Sequence, residues 1–75
     1  MYTIYSKPSC GYCLQAKQLL EMEQLLFEYK QLGTHYDLDE LMTLSPNAKS
    51  FPQVFKDGVL VGGFSDLVEY LKQQY

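Results

Sequence analysis

Cys10 and Cys13 are the side chains of this sequence best suited to chemistry, and they are its only two cysteines. The run Ser9-Cys10-Gly11-Tyr12-Cys13 sits between a strand-like segment, Met1 to Ser6, and a helix-like segment, Leu14 to Met22. A helix start leaves backbone N–H groups unpaired, and the positive end of its dipole favours a thiolate there, so Cys10 is placed to be an activated nucleophile. Cys13 follows nearly one turn later, within reach of the first sulfur. The pair can then cycle between dithiol and disulfide with little backbone motion.

Two blander roles for the pair are weaker. A disulfide closing so short a loop stabilises a chain by roughly 2 kcal/mol before strain is subtracted, and structural staples usually come as several widely spaced pairs. A structural zinc ion takes four ligands, whereas the two cysteines have only the distant His35 to join them. No metal site is expected, and His35, in a loop, reads as a solvated side chain.

The elements that must hold the motif follow in order. Met1 to Ser6, with Tyr2, Thr3 and Ile4, suits a buried strand. The helix after the motif carries Cys13, Ala16 and Leu20 on one side, flanked by Leu19, and ends near Met22 to Gln24. Leu26 to Leu32 alternates as a second strand that Gly33 ends. Asp37 to Leu44 is a short helix with Leu38, Leu41 and Met42 at helical spacing and Asp37 or Thr34 as its cap. Ser45-Pro46-Asn47 is a turn. Phe51 to Lys56 and Val59 to Val61 flank Asp57-Gly58, a strong hairpin signal. Phe64 to Gln74 is a last amphipathic helix, with Ser65 as the expected N-cap, Asp66 in its first turn, and Leu67, Val68 and Leu71 inward. The order is β-α-β-α-β-β-α. Its first β-α-β unit requires a parallel pair with a right-handed crossover, and its final hairpin is antiparallel. The expected fold is a single α/β domain, residues 1–75, with a four-stranded mixed sheet and helices on both faces.

Composition narrows the partners. The net charge is −3 and there is no arginine, which disfavours a nucleic-acid partner. No apolar run approaches the roughly 18 residues of a membrane span, and the N-terminus lacks a signal-peptide pattern. The chain is expected to be a cytoplasmic monomer.

Three motifs, in the right order and spanning nearly the whole chain, resemble the thioredoxin-like fold in its short glutaredoxin form. They are Lys7-x-x-Cys10-x-Tyr12-Cys13 with Ala16-Lys17 and Leu19-Leu20, then Ser50-Phe51-Pro52-Gln53-Val54-Phe55, then Gly62-Gly63-Phe64-Ser65-Asp66-Leu67. The compact loops are similar to those of the shortest members, including those of bacteriophages. The resemblance implies that Cys10 is the nucleophile, that Cys13 is the resolving thiol, and that Pro52 follows a cis peptide bond and faces the disulfide. It further implies a glutathione groove. The backbone of Phe51 would pair with the tripeptide, Lys7 and Lys49 would meet its glycyl carboxylate, and Tyr12 would flank its sulfur. Gly63, Phe64, Ser65 and Asp66 would hold its γ-glutamyl end. Gly11 stands where the family most often has proline, and Phe51 where it has a β-branched residue. Asp39 stands where many members carry a glutamine or arginine, so an acid there should repel the glycyl carboxylate.

The implied activity is glutathione-dependent reduction of protein disulfides and glutathione mixed disulfides. Glutathione is then a co-substrate, no cofactor is tightly bound, and disulfide-bearing proteins such as ribonucleotide reductase are the partners. Two rival roles remain at this point: a redoxin recharged by thioredoxin reductase, which Asp39 favours, and an iron–sulfur cluster module in which Cys10 and glutathione are ligands, which Gly11 favours and Cys13 opposes.

Overall fold

Strand β1 (Tyr2–Ser6) is the axis of the sheet in the computed structural model, which describes residues 1–73. It pairs in parallel with β2 (Phe27–Gln31) on one side and antiparallel with β3 (Gln53–Lys56) on the other. β4 (Val59–Gly62) then pairs antiparallel with β3, so the order across the sheet is β2-β1-β3-β4. A strand with neighbours on both edges and helices on both faces is buried on both sides, and Tyr2, Ile4, Tyr5 and Ser6 are all buried. Helices α1 (Gly11–Met22), α2 (Leu38–Leu44) and α3 (Phe64–Lys72) complete the predicted mixed α/β sandwich.

Alternation along β1 divides the interior into two cores. Tyr2 and Ile4 pack with Ala16 and Leu20 of α1, Val54 of β3, and Leu67 and Leu71 of α3. Tyr5 faces the other way, with Phe55, Leu41 of α2 and Tyr36. Tyr5 meets both aromatic partners edge-on, at ring-centroid distances of 4.9 Å to Tyr36 and 5.4 Å to Phe55. Leu41 alone anchors α2, because Met42 is half-buried and Leu38 exposed.

Several boundaries differ from those read off the sequence. α1 begins at Gly11, three residues before Leu14, because the Cys10 sulfur itself caps it. β2 omits Leu26 and Leu32. Leu26 offers its carbonyl to the Tyr2 N–H but is 79% exposed. Asp37, not Thr34, caps α2, accepting from the Glu40 N–H at 2.9 Å. α3 ends at Lys72, and Gln74 lies outside the described residues. The Asp57-Gly58 hairpin is as expected, with φ of 51° and 84°, the left-handed pair that a two-residue turn requires.

Tyr36 ties the second core to the strand that leads into the cysteine motif. Its hydroxyl donates to the Ser6 carbonyl at 2.7 Å. Burial first, then the neighbouring Tyr5 and Glu40, push this hydroxyl from 10.0 up to about 12. A raised pKa means that the fold holds the protonated phenol. Its stabilisation is therefore whole below the unfolded value near 10 and is lost as pH rises through about 12. Tyr36→Phe should cost about 1 kcal/mol at neutral pH, the net worth of one hydrogen bond, because Ser6 still accepts from the Leu32 N–H. Denaturant melts at neutral and alkaline pH test this: the gap between wild type and variant should shrink through that window.

Candidate active site

Cys10 is the N-cap of α1, with extended backbone at φ −112° and ψ 107°, and its Sγ accepts from the Cys13 N–H at 3.2 Å. A sulfur in this position takes up a helix N–H that otherwise lacks a partner, a bond that favours its anionic form. The two cysteines are joined as a disulfide with their Cα atoms 5.3 Å apart. They are not equivalent. Cys13 has no exposed surface, sealed beneath the first turn of α1, whereas Cys10 is half-buried. An incoming thiolate can therefore reach only Cys10.

Gly11 and Tyr12 lie between them. Gly11 is the first residue of α1, and an added Cβ would meet nothing within 4 Å. Proline suits this first helical position, and the extended Cys10 before it is the conformation a following proline demands. Glycine here is thus not a steric necessity. Tyr12 is exposed and stacks on Phe64, the first residue of α3, with centroids 5.9 Å apart and planes 30° from parallel. That contact joins the cysteine motif to the start of α3.

Between them opens a cleft of about 320 Å³ lined by Tyr12, Ser50, Phe51, Pro52, Gly63, Phe64, Ser65 and Asp66. The Phe51–Pro52 peptide bond is cis, as the resemblance implied, and Pro52 is fully buried. Lys7 reaches this region from the opposite side of the motif, with its ammonium 5.4 Å from the centre of the Phe51 ring. Of the residues named from the sequence for a binding groove, then, seven line one cleft and Lys7 touches its wall. Lys49 is exposed in the loop before Ser50 and does not line the cleft, and Asp39 is exposed in the first turn of α2.

The start of α3 corrects one expectation. Gly63, not Ser65, is the N-cap; Ser65 is the second helical residue and is exposed. Asp66, the third, reaches back to accept from the Gly63 N–H at 3.1 Å. Serine is the commoner cap, but an acid three residues on makes glycine sufficient by covering the cap's own N–H. A glycine cap has no side chain to accept from the next helix N–H groups, and Phe64 and Ser65, which carry the first of them, line the cleft.

Gly62 was not picked out from the sequence as a site residue, yet it has the strictest requirement. β4 carries a bulge that leaves Val61 without a direct partner, and Gly62 then turns at φ 128° into α3. A Cβ on Gly62 would lie 2.7 Å from both Cβ and Cγ of Asp66, whereas one on Gly63 would meet the Pro52 carbonyl at an ordinary 3.6 Å. Gly62→Ala should therefore lower stability by about 1–3 kcal/mol, the cost of a strained backbone position, and displace Asp66. Gly63→Ala should cost less than 1 kcal/mol, about the scale of an unstrained change. Thermal melts of the two variants side by side check the order.

Comparison with known proteins agrees with this geometry. The sequence profile of the family described as glutaredoxin matches residues 2–61. Glutaredoxin 1 of Rickettsia prowazekii (strain Madrid E) is 32% identical over 72 residues, covering 93% of this chain and 76% of its own. Glutaredoxin 1 of Salmonella typhimurium (strain LT2) is 31% identical over 81 residues, covering 97% of this chain and 93% of its own. The crystal structure of a buckwheat glutaredoxin–glutathione complex superposes with a TM-score of 0.81 at 25% identity, over 97% of this chain and 69% of that one. With its cysteine pair closed at the head of α1, the chain belongs to the glutaredoxin family and is a thiol–disulfide oxidoreductase.

Proposed function

We propose that glutathione is the reductant of this oxidoreductase, and that protein disulfides and glutathione mixed disulfides are its substrates. The observation that carries this reading is the cleft itself. It runs from Tyr12 in the cysteine motif, past Phe51 and Pro52, to the open end of α3 and the Asp66 carboxylate. Glutathione has an extended backbone, a carboxylate at each end and one amine. The N–H groups of Phe64 and Ser65 suit the γ-glutamyl carboxylate, and Asp66 suits the adjacent amine. The Phe51 backbone can pair with the middle of the tripeptide. Lys7 is the nearer cation for the glycyl carboxylate, and Lys49 can join it only by reaching in from its loop.

The exchange is two displacements in each direction. The Cys10 thiolate attacks one sulfur of a substrate disulfide, forming a mixed disulfide and releasing the other sulfur as thiolate. Cys13 then attacks Cys10 Sγ, closing the internal disulfide and releasing the substrate's second thiolate. Glutathione thiolate reopens it at Cys10, the exposed sulfur, and a second glutathione removes the first as glutathione disulfide. A Cys10-ligated iron–sulfur cluster would compete with Cys13, which already lies within bonding reach. Dithiol cycling needs a reducing compartment, such as the cytoplasm. Ribonucleotide reductase fits the substrate class by family resemblance. The test is turnover of a small disulfide with glutathione and its reductase, beside thioredoxin reductase as donor. Efficient turnover only with the second donor would overturn the glutathione reading.

A further inference from the structure

A second groove approaches Cys10 from the other side of the cysteine motif, with Lys7, whose ammonium also lies over Phe51 of the glutathione cleft, at its Cys10 end. It has a volume of about 450 Å³ and lies between the outer face of α1 and β2, which is an edge strand. Cys10, Leu14 and Lys17 line one wall, and Tyr29 and Gln31 line the other. The spacing explains the wall: residues four and three apart share one face of a helix. Tyr29 and Gln31 alternate on β2, opposite Ile4 and Ser6 of β1, on the side of the sheet that α1 covers.

Its chemistry points to a partner. No carboxylate lines this groove, although acids outnumber lysines nine to six in the chain. Lys17 rests its ammonium 5.2 Å from the Tyr29 ring centre and has no carboxylate partner among the described residues, whereas Lys56 and Lys72 are ion-paired. Leu14 stands between Cys10 and Lys17 and is 53% exposed. From Cys10 outward along α1 the groove thus presents thiol, apolar side chain, cation, with Lys7 a second cation beside the thiol itself.

We propose that this groove is the docking track for the disulfide-bearing segment of a protein substrate, and that it selects segments with an acidic residue about three positions from the reacting cysteine. The distance follows from geometry. Lys17 lies seven positions after Cys10, about 10 Å at the helical rise, and an extended segment covers that in about three residues. A side chain before the acid lies over Leu14. The track rests on the reading that protein disulfides are substrates, but not on which reductant restores the dithiol.

The test is single-turnover oxidation of pre-reduced protein by synthetic peptides carrying one intramolecular disulfide. The peptides bear aspartate or lysine three residues before or three residues after the cysteine. The expected result is that, at one of the two positions, aspartate reacts about fivefold faster than lysine, the scale of one exposed ion pair. Lys17→Glu should reverse that preference, high salt should flatten it, and reduction of a small uncharged disulfide should not change. Peptide rates indifferent to charge, or lowered equally for all peptides in Lys17→Glu, would overturn the track alone. Failure of every peptide, with the small disulfide still reduced, would overturn the protein-disulfide reading and the track together.

Discussion

Cys10→Ser will abolish every disulfide-reducing activity of this protein, while Cys13→Ser will keep one of them. The asymmetry comes from burial. Cys13 has no exposed surface and cannot meet an external disulfide, so loss of the Cys10 sulfur leaves no accessible nucleophile. The Cys10 sulfur also loses its role as acceptor for the Cys13 N–H, though a serine hydroxyl can still cap α1. Cys13→Ser leaves Cys10 at the helix N-terminus, with the backbone N–H of residue 13 still donating to its sulfur. Attack on a glutathione mixed disulfide then yields glutathionylated Cys10, which a second glutathione resolves. Intramolecular protein disulfides need the internal thiol, because the mixed disulfide otherwise reverts by attack of the substrate's own second thiolate. The expected pattern is full loss for Cys10→Ser on both substrates, and loss of only the protein-disulfide reaction for Cys13→Ser. Alkylation near pH 6 should label Cys10 and spare Cys13 in the reduced wild type, because the thiolate is the reactive form and only one sulfur is both activated and exposed. Labelling of Cys13 first would reverse the assigned roles.

The site's main chemistry was legible because it is local. Two cysteines three positions apart, at a strand-to-helix junction, need no tertiary information to be read as a redox pair. The order of elements was legible for a similar reason: helical and alternating periodicities differ, and Asp57-Gly58 encodes its own turn. The cis bond before Pro52 came from the family resemblance, since no local property of Phe51-Pro52 demands it.

What the sequence hid depends on who packs against whom. Ser65 looked like a cap because serine oxygens make good ones, but the bulge at Val61 and the turn at Gly62 start α3 earlier, and Asp66 then serves Gly63. The second core was also hidden. Tyr36 belongs to no regular element and reads as loop, and only the pairing of β1 with β3 brings Tyr5 and Phe55 together to receive it. Leu26 resembled a strand residue because leucine is apolar, yet β2 is an edge strand and its first neighbour lies over solvent. The groove along Leu14 and Lys17 was likewise invisible. Those residues are on the outer face of α1, and a helix read alone gives no reason to look there.

Asp66→Asn separates the charge at the head of α3 from its shape, and it should weaken glutathione turnover by about tenfold. Asparagine keeps an oxygen that can accept from the Gly63 N–H, so α3 should start where it does now. What it loses is the negative charge that the proposed glutathione reading sets against the γ-glutamyl amine. A hydrogen bond to a charged group contributes about 1.5–3 kcal/mol, and the lower end, about tenfold, applies because Asp66 is exposed before the ligand arrives. The loss should fall on kcat/KM for glutathione and leave the first-order closure of the Cys10–Cys13 disulfide unchanged. Asp39 should act with the opposite sign and far more weakly. It does not line the cleft, so on the proposed reading it would act on the glycyl carboxylate only through solvent. Two unit charges about one Debye length apart, ~10 Å, interact in water by about 0.4 kcal/mol before screening. Asp39→Gln should therefore lower the KM for glutathione by no more than about twofold, and the gain should vanish at high salt. Steady-state kinetics of both variants with glutathione and with thioredoxin reductase distinguish the readings. If Asp66→Asn left glutathione kinetics untouched while thioredoxin reductase served well, the cleft would not be a glutathione site.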